Sequence, residues 1–157
     1  MVLVVCARTT QGLTGTHNQL SGWPAGDAGP LLAPAVITLS VGPSPSATAL
    51  LLTIDPASAA ITASAAGGSL HYFRLADATL RPLPAEATLT LARGDAYIAV
   101  SPGARRLADS PAMARYLHLH DGFNAEHLAD GLLRFLAQES GQAEFPEDVT
   151  VLVVEAR

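Results

Sequence analysis

The 157-residue sequence contains no lysine: all nine cations are arginines, scattered along the chain, and the formal net charge is -5. Nucleic-acid surfaces need clustered positive charge to release counterions, so nucleic acid is not an expected partner. The missing lysine also removes the phosphate-gripping side chain of a P-loop and the amine of a Schiff-base enzyme. Cys6 is the only cysteine, which excludes an internal disulfide and any metal site built from thiolates alone. Its place inside the apolar run VLVVC marks it as a buried strand thiol. Charged residues make up only 15% of the chain, yet Gly, Pro and Ser interrupt every apolar stretch before it reaches spanning length, so no membrane span is expected. The opening MVLVVCARTT has no basic region ahead of its short apolar run and no small-residue cleavage pattern, and reads as a first strand of a cytoplasmic protein. Arginine in place of lysine and abundant alanine fit a GC-rich bacterial coding sequence.

What is present has the length of a single domain, residues 1–157, able to bury roughly 70% of its unfolded surface. Strands are expected at residues 2–8, 35–41, 47–55, 59–66, 69–76, 87–92 and 94–101, separated by the Gly, Thr and Pro-rich stretch after Thr10 and by GPSPS, DPAS, GG and PLPAE. The hairpin-like gaps favour antiparallel pairing. In the last third the period changes. Ser110 followed by Pro111 starts a short helix running to about His118, and Asn124 caps a second helix. There Leu128, Leu132, Phe135 and Leu136 share one face, and Gly141 ends the helix. The unbroken apolar VTVLVVE that closes the chain has the character of a central strand buried on both faces. The expected fold is therefore α+β: an antiparallel sandwich of about eight strands with two helices in the C-terminal third.

Five segments, in order, resemble the type 2C metal-dependent protein phosphatases: VVCARTTQGLTGTHNQL the opening strand and Asn-Glu-Asp motif, AVITLSVG the strand ending in Ala-Asp-Gly, and ASAAGGSLHYFRLADATLRPL the Gly-Asp-Ser-Arg-x-Tyr hairpin. LARGDAYIAVSPG is similar to the segment ending in Ser-Asp-Gly, and EDVTVLVV to the closing Asp-Asp-x-Thr strand. The resemblance implies a β-sandwich flanked by helices and, in the family, two manganese or magnesium ions that generate a hydroxide and clamp phosphoryl oxygens. Such hard cations each demand several oxygen ligands. At the positions matching the family's Asp ligands this chain has Leu20, Val41, Gly68 and Pro102. Only Glu147 and Asp148 keep a carboxylate pair, the residual metal candidates.

With Leu20 and Val41 expected to turn apolar surface toward the former metal basin, hydrolysis by the family mechanism is not expected, and neither a cofactor nor a catalytic residue is assigned. The resemblance implies a pseudophosphatase acting as a protein-binding or scaffolding module in bacterial signalling. Two alternatives stand beside it: a residual serine/threonine phosphatase with a sparse site of Asp148, Glu147 and Asp27, and a purely structural homo-oligomer. Only about four residues separate SVG from ATALLL, where the family inserts two long helices, so one helical layer is missing. The sheet face thereby uncovered is expected to be apolar and to be covered by a partner protein or by a second copy in a homodimer or larger homo-oligomer.

Other candidates have plainer readings. Asp148 is also suited to accepting backbone N–H groups at the entry to the last strand, and Asp95 to a turn. His118, His120, Asp121 and His127 carry zinc-ligand chemistry but lack the spacing of the metallo-hydrolase motifs. His17 and His71 read as isolated surface or half-buried side chains. Trp23, among prolines and glycines, is either a contact residue or folded back on the core. No Gly-x-Ser-x-Gly elbow exists for a nucleophilic serine.

Overall fold

Strand periodicity builds two sheets with a core on each side of one of them. The computed structural model describes residues 1–10, 18–22, 30–43, 48–74, 76–119, 124–141 and 147–157, among which eleven strands form two antiparallel sheets. The six-stranded sheet runs, in spatial order, β3 (Leu31–Leu32), β1 (Leu3–Thr10), β11 (Val149–Ala156), β10 (Asp95–Val100), β7 (Ser69–Arg74) and β8 (Thr79–Leu83). The five-stranded sheet runs β2 (Gln19–Ser21), β4 (Ile37–Gly42), β5 (Leu50–Asp55), β6 (Ala60–Ala65) and β9 (Glu86–Thr90).

The unbroken apolar character of β11 has a direct cause. Val149, Val151 and Val153 enter a core shared with the helices, while Leu152, Val154 and Ala156 enter the core between the sheets. β10 divides in the same way, Ala96, Ile98 and Val100 against Tyr97 and Ala99, and Cys6 of β1 lies buried on the helical side. Burial raises the Cys6 thiol above its ordinary pKa, which keeps it an unreactive apolar group.

After β10 the chain makes a 3-10 turn (Pro102–Ala104) and three helices, α1 (Arg105–Ala108), α2 (Pro111–His118) and α3 (Ala125–Ser140). The α3 boundaries follow their local chemistry: the Asn124 side chain accepts from the His127 N–H at 2.8 Å, and Gly141 ends the helix at φ 66°. Leu128, Leu132, Phe135 and Leu136 are buried against the six-stranded sheet. Ser110 occupies the position before α2, but its hydroxyl donates to Leu107 O at 2.6 Å rather than capping the helix. No described helix is long and apolar enough to cross a membrane.

The expected strand and helix counts need correcting. The additional strands β2, β3 and β8 are short or carry proline, and α1 is a single turn. A further correction concerns the uncovered sheet. The helices pack on the six-stranded sheet, and no described element covers the outer face of the five-stranded one. That face is not apolar, however. Thr38, Ser40, Thr53, Thr62, Ser64, Thr88 and Thr90 alternate with the core residues, and among the described strand residues of this face Leu51 is the one large apolar side chain.

Candidate functional site

The segments that carry the five motif matches meet at one end of the sandwich. Asn18 leads into β2, Asp148 into β11, and Ser101 with Pro102 follows β10. The Asn18 backbone N–H donates to Asp148 Oδ2 at 2.8 Å, and its side-chain amide lies within hydrogen-bonding distance of Thr150 Oγ1 (3.1 Å), Asp148 O (3.3 Å) and Ser101 Oγ (3.4 Å). Ser101 Oγ in turn accepts from the Thr150 N–H at 2.8 Å, and the Thr9 and Thr150 hydroxyls are 2.9 Å apart. This polar network stitches the lead-in to β2 onto the six-stranded sheet.

The four positions that match the family's metal ligands are filled by contacts of a different kind. Leu20 pairs with Val41 across β2 and β4, Val41 pairs with Leu50 on β5, and all three side chains join the core between the sheets. Cross-strand register turns Val41 and partly buried Leu20 into the core between the sheets. A Cβ placed on Gly68 would come 2.5 Å from Val100 O and 2.9 Å from Leu50 Cδ2, so no side chain fits there without displacing backbone. The Pro102 ring faces Gly67, whose hypothetical Cβ would stand 3.6 Å from it. At Gly103 a Cβ would approach Asp148 O to 2.6 Å. Backbone and apolar side chains thus occupy the space that ligand side chains would need.

The residual carboxylates do not act as a pair. Asp148 is 4% exposed and its carboxylate accepts the Asn18 N–H, whereas Glu147 is exposed to solvent. The plainer reading of Asp148 as an acceptor of backbone N–H is what the geometry contains, with the N–H coming from a distant segment. Two hard cations need several oxygen ligands each, and among the described residues no three His, Cys, Asp or Glu side chains converge to hold a metal ion. The described residues do not fit the family's two metal ions. Asp27 lies outside the described residues.

The other candidates separate as follows. Asp95, the first residue of β10, accepts through Oδ2 from the Ala92 N–H at 3.1 Å and from the Tyr72 hydroxyl at 2.6 Å, which ties the strand to the turn before it. His71 corrects its expectation: it is 2% exposed, buried on the helical side of β7. Its Nε2 stands 3.7 Å from Asp109 Oδ1 and its Nδ1 has no hydrogen-bond partner. Burial lowers its pKa below the ordinary 6.5, against the smaller opposing pull of Asp109. His118 ends α2 and His127 sits exposed in the first turn of α3. His17, Trp23, His120 and Asp121 lie outside the described residues. Sequence reasoning missed Asn18, Ser101 and Thr150 as the polar knot, although Asn18 stands in the same NQL string as Leu20.

No protein-family model and no curated protein matches the sequence. Solved structures do resemble it. Over 99% of this chain, the PP2C phosphatase domain of the Bacillus subtilis cell fate determinant SpoIIE, solved with a fragment of its regulatory domain, superposes with a TM-score of 0.66 at 14% identity. The chain spans 63% of that structure's length. The Mycobacterium tuberculosis serine/threonine phosphatase PstP/Ppp matches over 100% of both chains with a TM-score of 0.63 at 13% identity. RsbX, solved in complex with magnesium, matches over 99% of this chain and 96% of its own, with a TM-score of 0.63 at 11% identity. The chain has the sandwich fold of the type 2C phosphatases, with no described helices on one sheet and without a cluster of ligands, among the described residues, at the place where the motifs converge.

Proposed function

We propose that the chain is a non-catalytic module on the type 2C phosphatase frame, a pseudophosphatase that binds a protein partner or a second copy of itself in bacterial cytoplasmic signalling. The observation that carries this reading is steric as well as chemical. At Gly68 the approach of Val100 O and Leu50 Cδ2 leaves no room for a carboxylate, and Val41 is sealed in the core. Substituting the lost ligands back one at a time therefore cannot rebuild an ion site. The alternative, a residual phosphatase using Asp148 and Glu147, requires a buried carboxylate to exchange its N–H partner for a cation, while its neighbour is directed to solvent.

Thermal melting tests the reading. A ligand that binds only the folded state at 100 times its dissociation constant stabilises by about 2.7 kcal/mol. The melting temperature is expected to be unchanged by millimolar manganese. A rise with manganese that disappears in Asp148→Ala contradicts the reading.

A further inference from the structure

The four sheet edges are not alike. β3 has two residues and β2 three, while β8 carries Pro82, which has no N–H to offer, together with Arg81. Short strands, prolines and charges of this kind keep an edge from pairing with another chain. β9 has none of these devices in its interior, Ala87-Thr88-Leu89-Thr90, and no described strand pairs with its outer side. On its inner side the Ala65 N–H donates to Ala85 O at 2.8 Å and the Leu91 N–H to Ala59 O at 2.9 Å. In an antiparallel ladder this parity makes Ala87 and Leu89 the hydrogen-bonded residues and directs the N–H and C=O groups of Glu86, Thr88 and Thr90 outward.

A second feature ends at the same edge. Thr38, Thr53, Thr62 and Thr88 are successive cross-strand partners, forming one row of threonines across β4, β5, β6 and β9. Their hydroxyls approach to 3.3 Å between Thr38 and Thr53 and to 3.2 Å between Thr62 and Thr88. The row stops at Thr88 with the outer side open.

We propose that β9 pairs antiparallel with β9 of a second copy, about a two-fold axis through Thr88, joining the two five-stranded sheets into one. In this register the outward backbone groups of Glu86, Thr88 and Thr90 are satisfied reciprocally, and the threonine row continues across the seam as favourable Thr–Thr pairs. Glu86 faces Thr90 of the second copy, so no like charges oppose. Half-buried Ala87 and Leu89 face each other on the core side. Sliding the pair by two residues in one direction sets Thr90 against Pro84, which has no N–H to offer, and in the other sets Glu86 against Ala92, beyond the end of β9, so only the central register pairs every outward group of the strand. The seam is short compared with stable interfaces, and the association is accordingly weak and concentration-dependent. It rests on the reading of the chain as a binding module and makes the second copy the partner.

Sedimentation across a micromolar-to-millimolar series is expected to show mass rising from monomer to dimer. Thr88→Pro deletes an outward N–H without touching the ladder to β6, and is expected to stay monomeric with its melting temperature little changed. Thr88→Lys, which sets two ammonium groups against each other, is expected to do the same should the proline variant fail to fold. Register is read by oxidation, with buried Cys6 silent: Thr88→Cys cross-links with itself, Thr90→Cys does not, and Thr90→Cys mixed with Glu86→Cys does. A wild-type protein monomeric at every concentration overturns the proposal, as does a dimer that survives both Thr88 variants or cross-links equally through Thr90→Cys. The seam uses none of the residues at the motif positions. A manganese response with an intact seam therefore removes the pseudophosphatase reading alone, and loss of the seam leaves that reading standing.

Discussion

At the scale of single residues, the most informative positions are those where the family's carboxylates have no room. Gly68 is the sharpest, because the two groups nearest its missing Cβ include a backbone carbonyl that cannot rotate away. Gly68→Ala and Gly68→Asp are both expected to destabilise by about 1–3 kcal/mol through overpacking, the aspartate at the upper end. Chemical denaturation measures this, and a neutral Gly68→Asp shows that the space exists after all. Pro102 is informative in a different way, since it starts the 3-10 turn after β10 and packs toward Gly67. His71 supplies a pH signature. Its folded pKa is depressed by burial, so on acidification the unfolded chain takes up a proton near pH 6.5 that the folded chain refuses. The sign is therefore a loss of stability as the pH falls through 6.5 toward the lower folded pKa. His71→Gln is expected to flatten that part of the stability profile, and an unchanged slope assigns the acid sensitivity elsewhere.

At the scale of elements, legibility followed the strength of local chemistry. α3 was readable to its ends because Asn124 supplies an N-cap oxygen, Gly141 takes the left-handed conformation, and four large apolar residues recur on one face. Asn124→Ala is expected to cost about 1 kcal/mol, read by thermal or chemical denaturation, whereas an exposed substitution elsewhere on α3 costs less. β11 was readable as central because both of its faces are apolar. The short edge strands were not readable: β2 and β3 are too short to show alternation, and β8 (TLRPL) contains a proline, which argues against a strand anywhere but at an edge. The motif positions were legible as a set, and the structure brings their segments together. What they do there was only half legible. The resemblance implies which carboxylates are missing, but cross-strand register decides that Leu20 and Val41 turn into the core.

At the scale of the molecule, the short connection after Gly42 points to an uncovered sheet face, and no described element covers the outer face of the five-stranded sheet, but the nature of that face was not legible. Alternation along β4, β5, β6 and β9 places threonine and serine outward, so the uncovered sheet meets water through hydroxyls rather than hydrocarbon. Burial of apolar surface on that face is thus not what calls for a partner, and the unprotected β9 edge is the more specific surface. At the other end of the sandwich, where the motif segments meet, no three ligand side chains converge among the described residues. Turnover of p-nitrophenyl phosphate in the presence of manganese, by wild type and by Asp148→Ala side by side, tests the pseudophosphatase reading most directly. No manganese-dependent hydrolysis is expected from either protein, and manganese-dependent turnover by wild type that is lost in Asp148→Ala contradicts that reading.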